Sequence, residues 1–147
     1  MTERPDPYDL NRFVDAQQGV YERAMAELRA GRKQSHWMWF TFPQFEGLGS
    51  SPTSQRYAIK SLDEARAYLD HQTLGPRLIE CAETVLALNS DSATDVFGYP
   101  DDLKLKSSAT LFAVVSGPAS VFERLLQKFF NGNHCELTLS LVRSFSS

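Results

Sequence analysis

Aromatic and cationic side chains crowd into one short stretch of this chain, residues 35–44. The stretch contains both tryptophans, Trp37 and Trp39, and Arg32 and Lys33 stand just before it. Aromatic rings with cations beside them can stack on a planar ligand and neutralise its negative charge. A core segment rich in aromatics would have the same composition, so the stretch either lines a pocket or fills the centre of the fold.

The start of this stretch also has the features of an anion site. Ser35 can cap a helix that must end before Pro43, and the free N–H groups at a helix start attract anions. His36 would share one side of that helix with Trp39, and Gln44 would follow its end. The candidate ligand-binding residues of this segment are Arg32, Lys33, Ser35, Trp37, Trp39 and Gln44. The alternative is a core helix with two solvated charges at its end.

A second polar group falls on a helix predicted over residues 100–116. Asp101, Lys104 and Ser108 recur at spacings of three and four, which places them along one line of the helix. A carboxylate, an amine and a hydroxyl in this arrangement can hold a polar ligand or transfer protons. We therefore take Asp101 and His36 as the candidate acid–base residues, and Lys104 and Ser108 as candidate ligand contacts. The competing interpretation makes Asp101 a first-turn acid that meets the positive helix end.

Composition limits the classes of function. The 147 residues, 42% hydrophobic, suit one domain with its own core. A net charge of -3 argues against general nucleic-acid binding. The absence of a long apolar run or an apolar signal core argues against a membrane span and favours a cytoplasmic location. Cys81 and Cys135 have neither metal-site nor disulfide-framework spacing, so we expect free thiols, no metal site and no cofactor.

Helical periodicity and helix-ending residues predict the elements that position these side chains. The pattern predicts a flexible arm over residues 1–8, a long helix over 9–30 ending at Gly31, a helix over 35–42 and a loop over 44–52. Further helices are predicted over residues 61–70, 75–88, 92–97, 100–116, 118–130 and 136–143. No segment has the alternation of a strand. The predicted fold is all-α, an irregular multi-helix single domain over residues 9–147.

Several motifs together resemble one bacterial family. They are Ser-His-Trp-Met-Trp-Phe-Thr-Phe-Pro-Gln at 35–44, Gly-Leu-Gly at 47–49, Glu-Ala-Arg-Ala-Tyr-Leu at 64–69, Phe-Gly-Tyr-Pro-Asp-Asp-Leu-Lys-Leu-Lys-Ser-Ser at 97–108 and Thr-Leu-Phe at 110–112. The chain is similar in these motifs to the family called domain of unknown function 1810, and the resemblance covers nearly everything after the arm. It implies an all-helical fold and brings no established activity.

Three accounts of function remain open. In the first, the aromatic segment and the 100–116 helix form a cleft for a small anionic, nucleotide-like ligand, with hydrolysis as the reaction if the site is catalytic. In the second, the aromatic segment is the partner surface of a non-enzymatic interaction module, whose protein partner the sequence does not identify. In the third, both segments only build the core. The exposure of Trp37 and Trp39 separates the three: both buried favours the third, one lining a cleft the first, one flat on the surface the second.

Overall fold

A computed structural model describes residues 6–146, without the side chains of the last two. Within this part of the chain there are ten helices and no strand, only one isolated bridge between Phe45 and Ile59. The prediction of an all-α single domain is confirmed. In chain order the helices are α1 (Asn11–Gln17), α2 (Tyr21–Ala30), α3 (Met38–Thr41), α4 (Pro52–Arg56), α5 (Leu62–Asp70), α6 (Leu74–Leu86), α7 (Ala93–Phe97), α8 (Asp101–Ser116), α9 (Val121–Phe130) and α10 (Glu136–Ser146).

Helix α8 is the central element of the fold. It packs against α5, α7, α9 and α10. Leu105, Leu111 and Phe112 are fully buried, and the small side chains between them are buried too. Small residues on several sides of one helix allow its neighbours to approach closely. As a result α8 is enclosed over most of its length, and only its first turns reach the surface near the aromatic segment.

Part of the aromatic stretch belongs to the core. Trp37 and Phe42 are buried, and each ring meets Phe97 of α7 edge to face, with centroids 6.5 and 5.9 Å apart. Such edge-to-face pairs add to the stabilisation that burial provides. The aromatic stretch is thereby fastened to the segment that leads into α8.

The predicted long helix over 9–30 is wrong in one respect, because it is two helices. Gly19 adopts φ +76°, in the left-handed region, and the chain turns there between α1 and α2. The apolar periodicity continues across this break, so the pattern alone did not reveal it. Gly31 ends α2 in the left-handed conformation, as predicted.

The predicted helix over 35–42 is also wrong in extent. Only α3, four residues long, is helical, and Trp37 stands before it without a side-chain cap. The segment that follows contains a helix where none was predicted, α4. Its start has a clear chemical cause, since the Ser51 hydroxyl accepts a hydrogen bond from Ser54 N and Pro52 occupies the first position.

Other boundaries follow the predicted signals more closely. Ser61 caps α5 by accepting from Glu64 N, and Gly117 ends α8. Helix α9 starts at Val121 rather than at 118, because Ser120 is the residue that caps it. Each of these helices therefore begins or ends at a residue whose side chain or backbone forms a hydrogen bond with the free N–H or C=O groups of the helix end.

The N-terminal arm falls partly outside the described residues, which begin at Asp6. Both carboxylate oxygens of Asp6 accept backbone hydrogen bonds from the start of α1, at 2.7 Å from Leu10 N and 3.0 Å from Asn11 N. The carbonyl of Tyr8 accepts from the Arg12 guanidinium at 2.6 Å. Residues 6–8 are therefore fastened to α1, while the flexible arm stays a prediction for residues 1–5.

Candidate functional site

The aromatic segment and the first turns of α8 enclose a small cavity of about 130 Å³. Its wall comes from the segment before α3, from α3 itself, from α4 and from α8. The lining residues are Lys33, His36, Trp37, Met38, Trp39, Phe40, Thr53, Asp101 and Lys104. Three parts of the chain that are distant in sequence thus supply one polar and aromatic site.

Two lysines share one carboxylate at this cavity, and we call Lys33, Asp101 and Lys104 the Lys–Asp–Lys triad. Lys33 Nζ lies 2.8 Å from Asp101 Oδ2, and Lys104 Nζ lies 3.0 Å from Asp101 Oδ1. Lys33 is 6% exposed and Lys104 22%. Two positive charges against one negative charge leave the triad with a net charge of about +1, in surroundings where solvent screens only part of it.

Each ammonium of the triad also lies over an indole ring. Lys33 Nζ is 5.0 Å from the centroid of the Trp37 ring, and Lys104 Nζ is 4.3 Å from that of Trp39. Both distances are within the range of a cation–π interaction. The two tryptophans differ in access, because Trp37 is fully buried whereas Trp39 is half-buried and lines the cavity.

A glycine fixes the position of the Trp39 ring. A Cβ at Gly49 would lie 3.0 Å from the ring and 2.6 Å from Ser54 of α4. Only a residue without a side chain allows the loop to approach Trp39 and α4 so closely. The ring at the cavity wall is thus held by the loop that precedes α4.

The ion pairs decide the protonation state of Asp101. Burial on its own would raise the pKa of this carboxyl, but the hydrogen bonds and charges of Lys33 and Lys104 outweigh it and hold the pKa below the ordinary value of 3.8. Asp101 is therefore ionised at neutral pH, and both of its oxygens have a cationic partner. This environment suits an ion-pairing role better than proton donation.

A carboxylate of α2 holds the start of the aromatic segment in place. Glu27 accepts hydrogen bonds from Gln34 N at 2.7 Å, Ser35 N at 2.9 Å, Ser35 Oγ at 2.6 Å and Trp37 Nε1 at 3.0 Å. Partial burial opposes its ionisation, but these four donors lower the pKa of Glu27 to about 2. The hydroxyl of Ser35 therefore donates a hydrogen bond to Glu27 and does not cap a helix.

The prediction of an anion site at a helix start near Ser35 is therefore wrong. The N–H of Ser35 and the preceding N–H are bonded to Glu27 rather than free. Helix α3 is too short to offer a set of aligned N–H groups, and it begins three residues after Ser35. Positive charge at the cavity comes from the lysines instead.

The structure brings together six of the ten predicted site residues and separates the other four from the cavity. Arg32 is exposed outside the lining. Gln44 is buried, and its Nε2 has no hydrogen-bond partner among the described residues. Ser108 is buried inside the α8 packing, and Ser35 is bonded to Glu27 as above. The six that line the cavity are Lys33, His36, Trp37, Trp39, Asp101 and Lys104.

Sequence reasoning left out the lining residues Met38 and Phe40 of the aromatic segment, and it missed two residues outside that segment, Thr53 and Glu27. Thr53 reaches the cavity from α4, and the Ser51-Pro52 pair at the start of that helix was a usable signal for it. Glu27 lies on the polar side of α2, and nothing in the local pattern distinguishes it from an ordinary surface carboxylate. Glu27 can accept hydrogen bonds from the aromatic segment only because the chain folds back against α2 after Gly31.

Two further classes of site can be assessed in the described part of the chain. No group of three His, Cys, Asp or Glu side chains lies close enough together there to bind a metal ion. None of the helices described is both long and apolar enough to cross a membrane.

The all-helical fold and the small cavity lined by residues 36–40 define a small all-α domain. The chain belongs to the family described as protein of unknown function DUF1810, whose model matches residues 7–142. This confirms the family resemblance drawn from the motifs.

A solved structure provides the second comparison. The conserved hypothetical protein Rv1873 from Mycobacterium tuberculosis is 53% identical to this chain, and the two structures superimpose with a TM-score of 0.92. The match covers 94% of this chain and 99% of that one. A search of curated proteins gave no match. The comparisons thus establish family and fold, and function has to be argued from the site.

Proposed function

We propose that the cavity binds the anionic group of a small ligand. One observation supports this proposal above the others: two ammonium groups share the single carboxylate of Asp101. The triad carries an excess positive charge beside an aromatic wall, and it lines a cavity instead of lying on an open surface. Convergent polar groups in a concave, partly apolar setting are typical of small-molecule sites.

The size of the cavity limits which ligands can bind in it. Ligand pockets commonly measure about 300–1,000 Å³, whereas this one is about 130 Å³. It has room for a phosphate or carboxylate group and not for a whole nucleotide. In a nucleotide-like ligand the phosphate would enter beside Lys104, and the remainder would lie at the mouth near the exposed His36.

Stacking on Trp39 has weaker support than binding of the anion. The Lys104 ammonium already covers one face of this ring at 4.3 Å. A planar ligand on that face would have to displace the lysine and lose the cation–π contact. An anion has no such cost, because it would approach the ammonium groups directly.

If the site is catalytic, we propose that His36 is the acid–base residue. Asp101 is engaged by two lysines and stays ionised, so it has no proton to donate at neutral pH. His36 lines the cavity and is exposed, and an imidazole ring can act as a general acid or base. Hydrolysis would then proceed by His36 taking a proton from a water molecule whose oxygen attacks the bound phosphoryl or acyl group. The bond to the leaving group breaks, and the leaving oxygen takes up that proton.

The alternative function, a protein-interaction module, has one observation in its favour. Tyr99, just before α8, is 77% exposed, and Leu103, in the first turn of α8, is 49% exposed. Exposed apolar side chains of this size can mark a partner surface. The aromatic segment itself is mostly buried, so a partner would contact Tyr99 and Leu103 rather than the tryptophans.

A thermal-shift screen tests the ligand proposal. The probes are inorganic phosphate, AMP and ADP-ribose, with tryptophan fluorescence recorded in parallel. A ligand at about ten times its Kd stabilises the native state by about 1.4 kcal/mol, which raises the Tm by about 4 °C for a domain of this size. Binding near Trp39 should also change the emission.

Two variants assign any shift to the site. Lys104→Met keeps the hydrocarbon packing over Trp39 but removes the charge, and we expect it to abolish the ligand-induced shift. Lys60→Met removes the same charge from an exposed position outside the cavity lining and should keep the shift. A shift that survives in Lys104→Met, or no shift with any probe, would argue against the proposal and favour the partner surface.

We also propose a cytoplasmic location. It is supported by Cys81 and Cys135, which are both free thiols in the structure. Free thiols persist in reducing compartments. Fractionation of the cells that produce this protein would test the proposal, and recovery of the protein outside the cytoplasm would contradict it.

A further inference from the structure

One cysteine, Cys135, occupies a position that favours its thiolate. It directly precedes α10, and its carbonyl accepts a hydrogen bond from Leu139 N at 3.1 Å, which places it at the cap position of this helix. Its own backbone N donates to Thr110 Oγ1 of α8 at 2.8 Å. The residue is half-buried, so it is not sealed from solvent.

Hydroxyl groups from two helices face the sulfur of Cys135. Ser107 Oγ of α8 lies 3.4 Å from Sγ and 3.1 Å from the carbonyl oxygen of Leu103, so its one proton is shared between these two acceptors. The Thr138 hydroxyl, one turn into α10, is fully buried and has no hydrogen-bond partner of good geometry among the described residues. This hydroxyl and the backbone N–H groups of Leu137 and Thr138 act on the Cys135 sulfur. A buried hydroxyl without a partner is costly, and a negative charge on the sulfur would satisfy it.

The electrostatic effect of these donors is opposite to that of burial. Burial alone would raise the pKa of the Cys135 thiol, but the nearby hydroxyls of Ser107 and Thr138 and the N–H groups at the start of α10 lower it below its ordinary value. Cys81 provides the contrast within the same chain. It is fully buried against Met25, and burial raises the pKa of its thiol to about 12.

We propose that Cys135 is a peroxide-sensitive thiol, positioned by Ser107 and Thr138. Its thiolate attacks one oxygen of a hydroperoxide, so that an S–O bond forms as the O–O bond breaks. The sulfur loses two electrons and becomes a sulfenic acid. The leaving oxygen takes up a proton from solvent and departs as water or an alcohol. This inference does not depend on the anion site.

Chemical trapping in the folded full-length protein tests the proposal. The protein is treated with hydrogen peroxide in the presence of dimedone, which reacts with sulfenic acids, and the adduct is located by peptide mass spectrometry. We expect the adduct on Cys135 and not on Cys81. It should persist in Cys81→Ser and vanish in Cys135→Ser. An unlabelled Cys135, or equal labelling of the two cysteines, would overturn the proposal.

A second experiment tests the positioning role of the hydroxyls. Thr138→Val keeps the shape of the side chain and removes the donor, and we expect alkylation of Cys135 by iodoacetamide at pH 7 to slow by about threefold or more. The midpoint of the pH profile of alkylation should rise. Thr84→Val, in α6, removes a hydroxyl that donates to the Glu80 carbonyl, and it should leave the alkylation rate and the pH midpoint of Cys135 unchanged.

Ser107→Ala repeats the test from another helix, so the result does not depend on the folding of a single variant. An unchanged alkylation rate and an unchanged pH midpoint in both Thr138→Val and Ser107→Ala would overturn the positioning role.

Discussion

Glu27→Gln should destabilise the protein in a way that depends on pH. The native pKa of Glu27 is about 2 against an ordinary value of 4.5, which corresponds to about 3 kcal/mol at about 1.4 kcal/mol per pH unit. The carboxylate is partly exposed, so solvent screening reduces this to about 1–2 kcal/mol at pH 7. The loss in Tm should be about 3–6 °C.

The direction of the pH dependence follows from the lowered pKa. The ionised Glu27 stabilises the fold fully above pH 4.5, where the unfolded chain is ionised as well. That stabilisation is lost as the pH falls from about 5 towards 2. Over this range Glu27 becomes protonated in the unfolded state while it is still ionised in the native state, which favours unfolding. The wild type and Glu27→Gln should therefore converge in stability over this range.

Urea denaturation at pH 7, pH 4 and pH 3 measures this convergence, with Glu83→Gln as the matched control. Glu83 is exposed on α6, so its variant should follow the wild type at every pH. A difference below about 0.5 kcal/mol at pH 7 would refute the view that Glu27 holds the aromatic segment. So would a difference that persists unchanged at pH 3.

Two further predictions concern the frame around the site. Gly75→Ala should destabilise by about 3 kcal/mol or more, because its Cβ would lie 2.0 Å from the carbonyl oxygen of Leu69 and the backbone must move. A Cβ at Gly19 would meet no atom within 4 Å, so Gly19→Ala should lower the free energy of unfolding only by the left-handed backbone strain, about 1–2 kcal/mol. Equal losses of unfolding free energy in the two variants, measured by urea denaturation, would contradict this comparison. Arg12→Met should cost about 3–5 kcal/mol, because it leaves the buried carboxylate of Glu64 without its 2.7 Å partner and frees four backbone carbonyls. A calorimetric Tm close to that of the wild type would show that this ion pair contributes little.

The sequence was informative at several helix ends that carry their own chemistry, although the Ser51-Pro52 start of α4 was overlooked. Ser61 before α5, Ser92 before α7 and Gly117 after α8 each satisfy a helix terminus locally, so a short window contains the cause of the boundary. The long apolar helices could likewise be predicted from a local signal, the 3.6-residue period of their apolar side chains. For these elements the fold could be predicted without knowledge of tertiary contacts.

The aromatic segment shows where such prediction fails. Ser35 is a good helix cap by residue type, yet its hydroxyl and N–H are taken by Glu27 of α2. That competition depends on how α2 and the segment pack, and no local pattern contains it. The same holds for the ion pair between Lys33 and Asp101, which are far apart in the sequence. The residue types of the site were visible in sequence, whereas their pairing required the tertiary structure.

The central claim, an anion site at the Lys–Asp–Lys triad, is tested most directly by calorimetric titration of inorganic phosphate. Three proteins are compared: wild type, Lys104→Met and Lys60→Met. We expect one phosphate to bind the wild type and Lys60→Met alike, with an affinity at least about tenfold lower in Lys104→Met, since a charge-assisted hydrogen bond contributes about 1.5–3 kcal/mol. No binding to the wild type, or an equal loss in both variants, would contradict the account.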